Sequence, residues 1–358
     1  MSIKILLNNQ GPIYPGALLQ GKVSCNFNSS RDVRSIKIRC YGKEHTEWRG
    51  SGKNNPRYTA THYFFQMETK LFEPENSAML PGTYTYPFTF LLPENLPSTF
   101  EFPYGYIRYS LKGIIDIPLA VDPRDRIDLQ LISVLDISTL PANLRQPCHA
   151  SQESSLNCCL FFSSEPIKME AQLNKLVFLP GETIRINLEI QNMSNDNVEN
   201  VVVKLIRCFV AHSEVPRHDT RFINEDLLTK NLAGIGAHGQ QIYDVDLVLP
   251  RDLPVPNMTY CQLLEGIYRL DVTGSSSGMC GKLNIVIAEI RVGHVDGPSW
   301  RSNNTSHPAQ NSSQSTGYPY PSAPKNTTIY SNPLENINPT APPPSYNDVS
   351  TGLLKNRD

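Results

Sequence analysis

Three blocks of the chain recur in the same order, and this repeat constrains the fold more than any single segment does. The stretch "YPGALLQGKVSCNF" (residues 14–27) returns as "LPGETIRINLEIQN" (residues 179–192). "VRSIKIRC" returns as "VENVVVKL", and "PFTFLLPENLP" returns as "DVDLVLPRDLP". Repetition of several blocks in one order indicates two copies of one structural unit.

The repeated blocks have the alternation of β-strands. In "RSIKIRCYG", Ile36, Ile38 and Cys40 alternate with Lys37 and Arg39. This period of two is typical of a strand with one buried side and one solvent-facing side. The second copy is apolar at the same positions, namely Val201, Val203 and Leu205. Both copies therefore read as strands of a half-buried antiparallel sheet.

The pattern predicts an all-β chain of two tandem antiparallel β-sandwiches, because many short strands without long helices favour sandwiches over barrels. We predict a first domain over residues 1–145, a linker over 146–164 and a second domain over 165–296. Only "NEDLLTKNL" (residues 224–232) is expected to include a short helical turn. Residues 297–358 are rich in Ser, Asn, Thr and Pro, so we predict a disordered tail.

The tail contains three short proline-based motifs. They are "PPSY" with Pro343, Pro344 and Tyr346, "PSAP" with Pro321, Ser322, Ala323 and Pro324, and "PTAP" with Pro339, Thr340, Ala341 and Pro342. In a polyproline II helix, which has three residues per turn, Pro343 and Tyr346 lie on one face. Aromatic-lined grooves recognise such segments. The motifs are therefore candidate binding sites, the alternative being a proline-rich solvated linker.

The folded part resembles the arrestin domain-containing family, also called α-arrestins. The resemblance rests on Pro15-Gly16 before a strand, on "LPGTYTYPFTFLLPENLPSTFEFPYGYIRYSLKG" (residues 80–113) and on "FLPGETIRINLEIQNMS" (residues 178–194). It covers about the first 293 residues. It implies two arrestin-like β-sandwiches joined by a short hinge, followed by a tail that carries P-P-x-Y.

The resemblance also implies partners. In this family P-P-x-Y recruits WW-domain HECT ubiquitin ligases, and P-[S/T]-A-P is similar to the motif read by the UEV-domain subunit of ESCRT-I. The expected function is an adaptor that brings both to membrane-protein cargo, for ubiquitination, endocytic sorting or vesicle budding. Lys325 and Lys355 in the tail are candidate ubiquitin acceptors. An arrestin-fold scaffold or signalling regulator that recruits no ligase is the alternative.

Two exposed cations of the repeated strand are further candidates. Lys37 and Arg39 lie on its solvent side and are candidate contacts for anionic lipid or phosphorylated cargo. The alternative is an ordinary solvated strand face. The net charge of -2 gives no reason to expect nucleic-acid binding.

Enzyme patterns are weak. "GIGAHG" (residues 234–239) and "GSSSG" (residues 274–278) match a dinucleotide-binding turn and a nucleophile elbow by letter. Both sites need a helix to follow. Strand-like sequence follows each pattern, so we interpret both as loops and expect a non-enzymatic chain without cofactor or metal.

The cysteines bear on the cellular compartment. The chain has 8 Cys without a C-x-x-C pair, and its first residues lack the apolar run of a signal peptide. We therefore expect free thiols and a cytoplasmic chain that is recruited to the plasma membrane and endosomes. Cys158 and Cys159 are either palmitoylated or part of a packed segment.

An extracellular adhesion module is the rival interpretation. It is favoured by the N-x-[S/T] patterns at Asn28, Asn192, Asn257, Asn303, Asn304, Asn311 and Asn326, but the missing signal peptide argues against it.

Overall fold

A computed structural model describes residues 1–8, 11–51, 54–73, 78–154, 166–276 and 282–295. The described residues form mainly antiparallel β-sheets, with two single-turn 3-10 helices at Ile137–Thr139 and Ala142–Arg145. This confirms the prediction of an all-β chain.

The first domain has two main sheets. Its strands are β1 (Ser2–Leu7), β2 (Leu18–Phe27), β3 (Arg31–Asp32), β4 (Ser35–Arg49), β5 (Arg57–Phe72), β6 (Ala78–Met79), β7 (Gly82–Leu91), β8 (Phe100–Phe102), β9 (Gly105–Asp116) and β10 (Arg124–Leu129). One sheet has the order β1-β2-β7, and the other has the order β10-β9-β4-β5, with β8 paired to β9.

The second domain repeats this arrangement. Its strands are β11 (Cys148–Ser154), β12 (Ile167–Leu173), β13 (Val177–Phe178), β14 (Thr183–Asn192), β15 (Val198–Ser213), β16 (Asp219–Leu232), β17 (Gln240–Val248), β18 (Leu264–Ser276) and β19 (Lys282–Val292). One sheet has the order β11-β12-β14-β17, and the other has the order β13-β19-β18-β15-β16. The central order β10-β9-β4-β5 thus matches β19-β18-β15-β16.

The repeated apolar positions form the two cores. Ile36, Ile38 and Cys40 on β4 are fully buried in the first core. Their predicted equivalents on β15 are equally buried in the second core: Val201, Val203 and Leu205. The predicted period of two is therefore confirmed in both copies, and apolar burial on this face stabilises each sandwich.

The repeated Pro-Gly pair has a conformational reason. Gly16 has φ of 75° and Gly181 has φ of 88°, in the left-handed region that favours glycine. The N–H of Gly16 donates to the carbonyl of Pro93, and that of Gly181 donates to the carbonyl of Leu249. Each glycine turns the chain into the strand that follows.

Two segments differ from the sequence predictions. The predicted helical turn at residues 224–232 is wrong, because these residues belong to β16 and pair along β15. Cross-strand hydrogen bonds outweigh the local helix preference there. Within the predicted linker, Cys148–Ser154 forms edge strand β11, whose polar sequence gave no alternation to recognise.

Candidate functional site

The tail motifs lie outside the described residues. These are the P-P-x-Y residues Pro343, Pro344 and Tyr346 and the P-[S/T]-A-P residues Pro321, Ser322, Ala323, Pro324, Pro339, Thr340, Ala341 and Pro342. The candidate acceptors Lys325 and Lys355 and the linker residues Cys158 and Cys159 also lie outside the described residues. Their assignments stay predictions of the sequence.

Lys37 and Arg39 lie on the outer face of the first domain, where ion pairs partly neutralise them. Lys37 Nζ lies 3.9 Å from a carboxylate oxygen of Glu68 and 3.8 Å from one of Asp116. Arg39 pairs with Glu68 through Nε. The Lys37 side chain is 19% exposed, whereas that of Arg39 is 47% exposed. Arg39 is therefore the more accessible of the two.

A row of three cations crosses the same face. Arg39 on β4 lies opposite Lys112 on β9, and Lys112 lies opposite Arg126 on β10. Arg126 pairs with Asp128 at 2.6 Å, whereas Lys112 has no ion pair or hydrogen bond with any described side chain. Like charges on directly opposite strand positions are destabilising. We call Arg39, Lys112 and Arg126 the cationic row.

The sequence analysis missed Lys112 and Arg126. Each lies in a strand-like stretch, "YIRYSLKG" and "RDRIDL", where alternation places it on the polar side. The register in which β4, β9 and β10 pair places both residues in line with Arg39, and this register cannot be deduced from either stretch alone.

At the far end of this face the cations are held by aromatic rings. Lys43 lies 5.9 Å from the ring centroid of Tyr63 and 5.6 Å from that of Tyr106. Arg108 lies 3.8 Å from the Tyr106 centroid and also pairs with Glu101. The ring faces attract the cations, so packing within the domain accounts for Lys43 and Arg108 at that end of the sheet.

A buried carboxylate joins the two domains. Glu44 on β4 is fully buried, and its oxygens accept hydrogen bonds from the backbone N–H of Gln262 (2.7 Å) and of Leu263 (3.1 Å). His62 Nδ1 lies 2.9 Å from the same carboxylate. Burial, together with the Glu44 charge, raises the pKa of the Cys261 thiol. The carboxylate thus anchors the β17–β18 loop of the second domain.

Three other contacts extend this joint. The Asn257 amide donates to the Ser133 hydroxyl at 2.9 Å, and Ser98 N–H donates to the Asn257 carbonyl at 2.9 Å. The rings of Phe100 and Phe209 pack with centroids 4.7 Å apart. The joint therefore combines satisfied polar groups with aromatic packing.

Two of the N-x-[S/T] patterns have a structural role. Asn192 and Asn257 are buried, at 1% and 4% exposure. The Oδ1 of Asn192 accepts hydrogen bonds from the N–H and hydroxyl of Ser194, and that of Asn257 accepts the same pair from Thr259. A glycan on either amide would disrupt these turns, so neither site supports the adhesion interpretation.

The described cysteines are free thiols, and three of them are buried: Cys25, Cys40 and Cys208. Burial raises the pKa of Cys25 and of Cys40 to about 12. These thiols stay protonated at neutral pH, which makes them poor nucleophiles and poor metal ligands.

The enzyme-like patterns lie in β-structure. "GIGAHG" leads into strand β17, as predicted, and the first residues of "GSSSG" belong to β18.

A cavity of about 720 Å³ on the second domain lies beside Cys148, His149, Arg185 and Asp244. Within the described ranges, no group of three or more His, Cys, Asp or Glu is placed to hold a metal ion. No helix among the described residues is long and apolar enough to span a bilayer.

Comparison with known proteins identifies the two domains. The family model of the arrestin (or S-antigen) N-terminal domain matches residues 3–138, and that of the C-terminal domain matches residues 163–296. This chain belongs to the arrestin family. Both arrestin domains agree in order with the two sandwiches of the structure.

The relatives of this arrestin-family chain are arrestin domain-containing proteins. Protein 17 of Caenorhabditis elegans is 30% identical over 212 residues, which is 54% of this chain and 48% of the relative. Arrestin domain-containing protein 1 of Homo sapiens is 23% identical over 294 residues, which is 82% of this chain and 65% of the relative. Arrestin domain-containing protein 4 of Mus musculus is 27% identical over 199 residues, which is 52% of this chain and 47% of the relative. The matched regions therefore span 47% to 65% of these relatives.

Proposed function

We propose that this chain is an arrestin-like trafficking adaptor that recruits WW-domain HECT ubiquitin ligases to membrane-protein cargo. The observation that carries the proposal is the presence of "PPSY" in the same chain as two arrestin domains. The sandwiches would bind cargo, and Pro343, Pro344 and Tyr346 would bind the ligase.

The proposed mechanism is tethering. A ligase bound to the tail is held near any cargo on the arrestin domains, which raises its effective concentration without a new catalytic contact. Lys325 and Lys355 are the proposed acceptors when the adaptor itself is modified. Arrestin-family proteins act as scaffolds and adaptors, so the bond-forming chemistry belongs to the ligase.

The two P-[S/T]-A-P motifs support a second recruitment. We propose that "PSAP" and "PTAP" bind the UEV-domain subunit of ESCRT-I, which would couple the adaptor to vesicle budding. The chain would then act in the cytoplasm and be recruited to the plasma membrane and endosomes. Lys37 and Arg39 are proposed contacts for cargo or anionic lipid there. The alternative is an arrestin-fold scaffold or signalling regulator whose work does not depend on the tail.

Substitution of Tyr346 tests ligase recruitment. Tyr346→Ala removes the aromatic anchor, and truncation of such an anchor should weaken WW-domain binding about thirtyfold or more. Isothermal titration of the full chain with a purified WW domain measures the loss. Tyr330→Ala is the matched control, because it removes a tail tyrosine outside the motif.

Equal WW affinity for Tyr346→Ala and Tyr330→Ala would refute ligase recruitment through this motif and favour the scaffold alternative. Pro321→Ala combined with Pro339→Ala serves as a separate arm. It should abolish UEV-domain binding while leaving WW-domain binding unchanged.

A further inference from the structure

The β9–β10 loop presents an apolar tip that packs against no other described residue. Leu119 is 103% exposed and Val121 is 92% exposed, whereas the next most exposed large apolar residues of the described chain, Leu80 and Leu91, are 65% exposed. Ala120 between them is also exposed. The exposed tip "LAV" lies in the loop at residues 117–123, which we call the apolar loop.

The base of the apolar loop is held in place. The N–H of Ile117 donates to the Asp122 carboxylate at 3.1 Å, and the N–H of Ile115 donates to the carbonyl of Pro123 at 3.1 Å. The tip therefore projects from a bonded base, with Pro118 and Pro123 restricting the backbone on either side.

Neither packing nor backbone preference explains a leucine at the tip. Leu119 has φ of 56°, a left-handed conformation in which glycine or asparagine is less strained. Its side chain gains no burial in return. Burial against a surface other than the described residues would explain an apolar residue in this position.

Two arginines flank the base of the apolar loop. Arg34 and Arg124 lie at its base, with side chains 60% and 56% exposed. Their partners Asp116 and Asp122 are more enclosed, at 26% and 25%. The guanidinium groups therefore face solvent more than the carboxylates do.

The cationic row extends this positive surface. Arg126 follows Arg124 by two residues on β10, and Lys112 lies two residues from Ile114, the partner of Arg124. Two residues of a strand span about 7 Å, which is within the Debye length at physiological salt. Lys112 lies between Arg39 and Arg126 without an anionic partner among the described residues.

We propose that the apolar loop and the cationic row together form a membrane-docking surface for anionic bilayers. Leu119 and Val121 would enter the boundary between headgroups and acyl chains, and Arg34, Arg124 and the cationic row would contact lipid phosphates. An apolar tip surrounded by Lys and Arg is the usual composition of an interfacial anchor.

A bilayer fits this surface better than a peptide does. Peptides bind grooves or sheet edges, which supply pockets or unpaired backbone groups. The apolar loop is instead a projecting tip between β9 and the edge strand β10, and no described residue forms a pocket wall beside Leu119 or Val121. A deformable apolar medium with negative headgroups satisfies both the tip and the cations.

Vesicle co-sedimentation of the full chain tests the proposal. The chain should bind phosphatidylserine-containing vesicles, and Leu119→Ser with Val121→Ser should weaken that binding at least about tenfold. Leu91→Ser with Val248→Ser is the matched control, because these exposed strand residues lie away from the loop, and it should bind as the unaltered chain does.

A charge arm separates the two parts of the surface. Lys112→Gln with Arg126→Gln should weaken binding to phosphatidylserine vesicles by about tenfold or more, and should not change residual binding to pure phosphatidylcholine. In a third arm, brominated acyl chains should quench the fluorescence of Leu119→Trp.

Several outcomes would overturn the proposal. They are absence of vesicle binding, equal losses for the loop and control variants, and unchanged vesicle binding by Lys112→Gln with Arg126→Gln. The proposal deepens the proposed adaptor function by naming its membrane contact. Its test contains no ligase, so a failed Tyr346→Ala experiment would leave it standing, and the reverse also holds.

Discussion

The two domains have the same inner faces and different outer faces. On the inner side of β4 and β15, apolar residues occupy equivalent positions and are fully buried. On the outer side, Arg39 of the first domain lies opposite Lys112, whereas Lys204 of the second domain lies opposite Asp271. The first pair repels and the second pair attracts.

At the equivalent positions of β15 and β18, the charges of the second domain are paired. Arg269 Nε and Nη2 donate to the two carboxylate oxygens of Asp271 at 2.8 and 2.9 Å, and Lys204 pairs with Asp226 at 2.6 Å. In the first domain, Lys112 has no such partner among the residues that the structure describes. Packing conserves the inner pattern between the copies, because both must form a core. The outer pattern is free to differ, and the unbalanced charge of the first domain points to an external ligand.

The inner side of β4 also carries the buried Glu44 at the domain joint, and this residue gives the largest predicted effect. Glu44→Ala would leave the N–H groups of Gln262 and Leu263 without their acceptor, at a cost of about 1–3 kcal/mol for each group. The free energy of unfolding should fall by a comparable sum. Urea unfolding followed by the fluorescence of the buried Trp48 measures it.

Glu47→Ala is the matched control for this prediction. Glu47 lies on the same strand, but its carboxylate is solvent-exposed and pairs with Arg57 on the surface. Its loss should change the stability by less than about 0.5 kcal/mol. Similar effects of the two substitutions would show that Glu44 does not anchor the joint.

The outer faces give a smaller predicted effect. Equivalent lysine substitutions in the two domains should change the free energy of unfolding in opposite directions. Lys112→Gln relieves repulsion from Arg39 and Arg126 and should raise the free energy of unfolding by about 0.2–1 kcal/mol. Lys204→Gln loses attraction to Asp226 and Asp271 and should lower it by about the same amount. Differential scanning calorimetry at low salt would compare the two. Destabilisation by Lys112→Gln would mean that the cationic row serves the fold.

Much of the fold could be predicted from the sequence. The period of two indicates which side chains of a strand are buried, and the repeated order of blocks indicates two copies of one domain. The apolar positions of β4 and β15 illustrate this. Strand β16 could not be predicted, since its pairing with β15 is a tertiary interaction that overrides local preference. Strand β11 was missed because its residues are mostly polar.

The candidate sites divide in the same way. The tail motifs can be recognised from sequence because a short peptide motif needs no tertiary structure. The cationic row depends on the register of three strands, and Glu44 depends on the meeting of two domains. The apolar loop is visible as "IPLAVDP", but only the structure distinguishes its exposed Leu119 and Val121 from core residues.

We propose that the tail of this arrestin-family chain connects its domains to a ligase, and proximity labelling in cells can test this connection. The unaltered chain, Tyr346→Ala and Tyr330→Ala would be compared. WW-domain ligases should disappear from the labelled proteins only for Tyr346→Ala, while the UEV-domain subunit should remain for all three. Undiminished labelling of WW-domain ligases by Tyr346→Ala would contradict it.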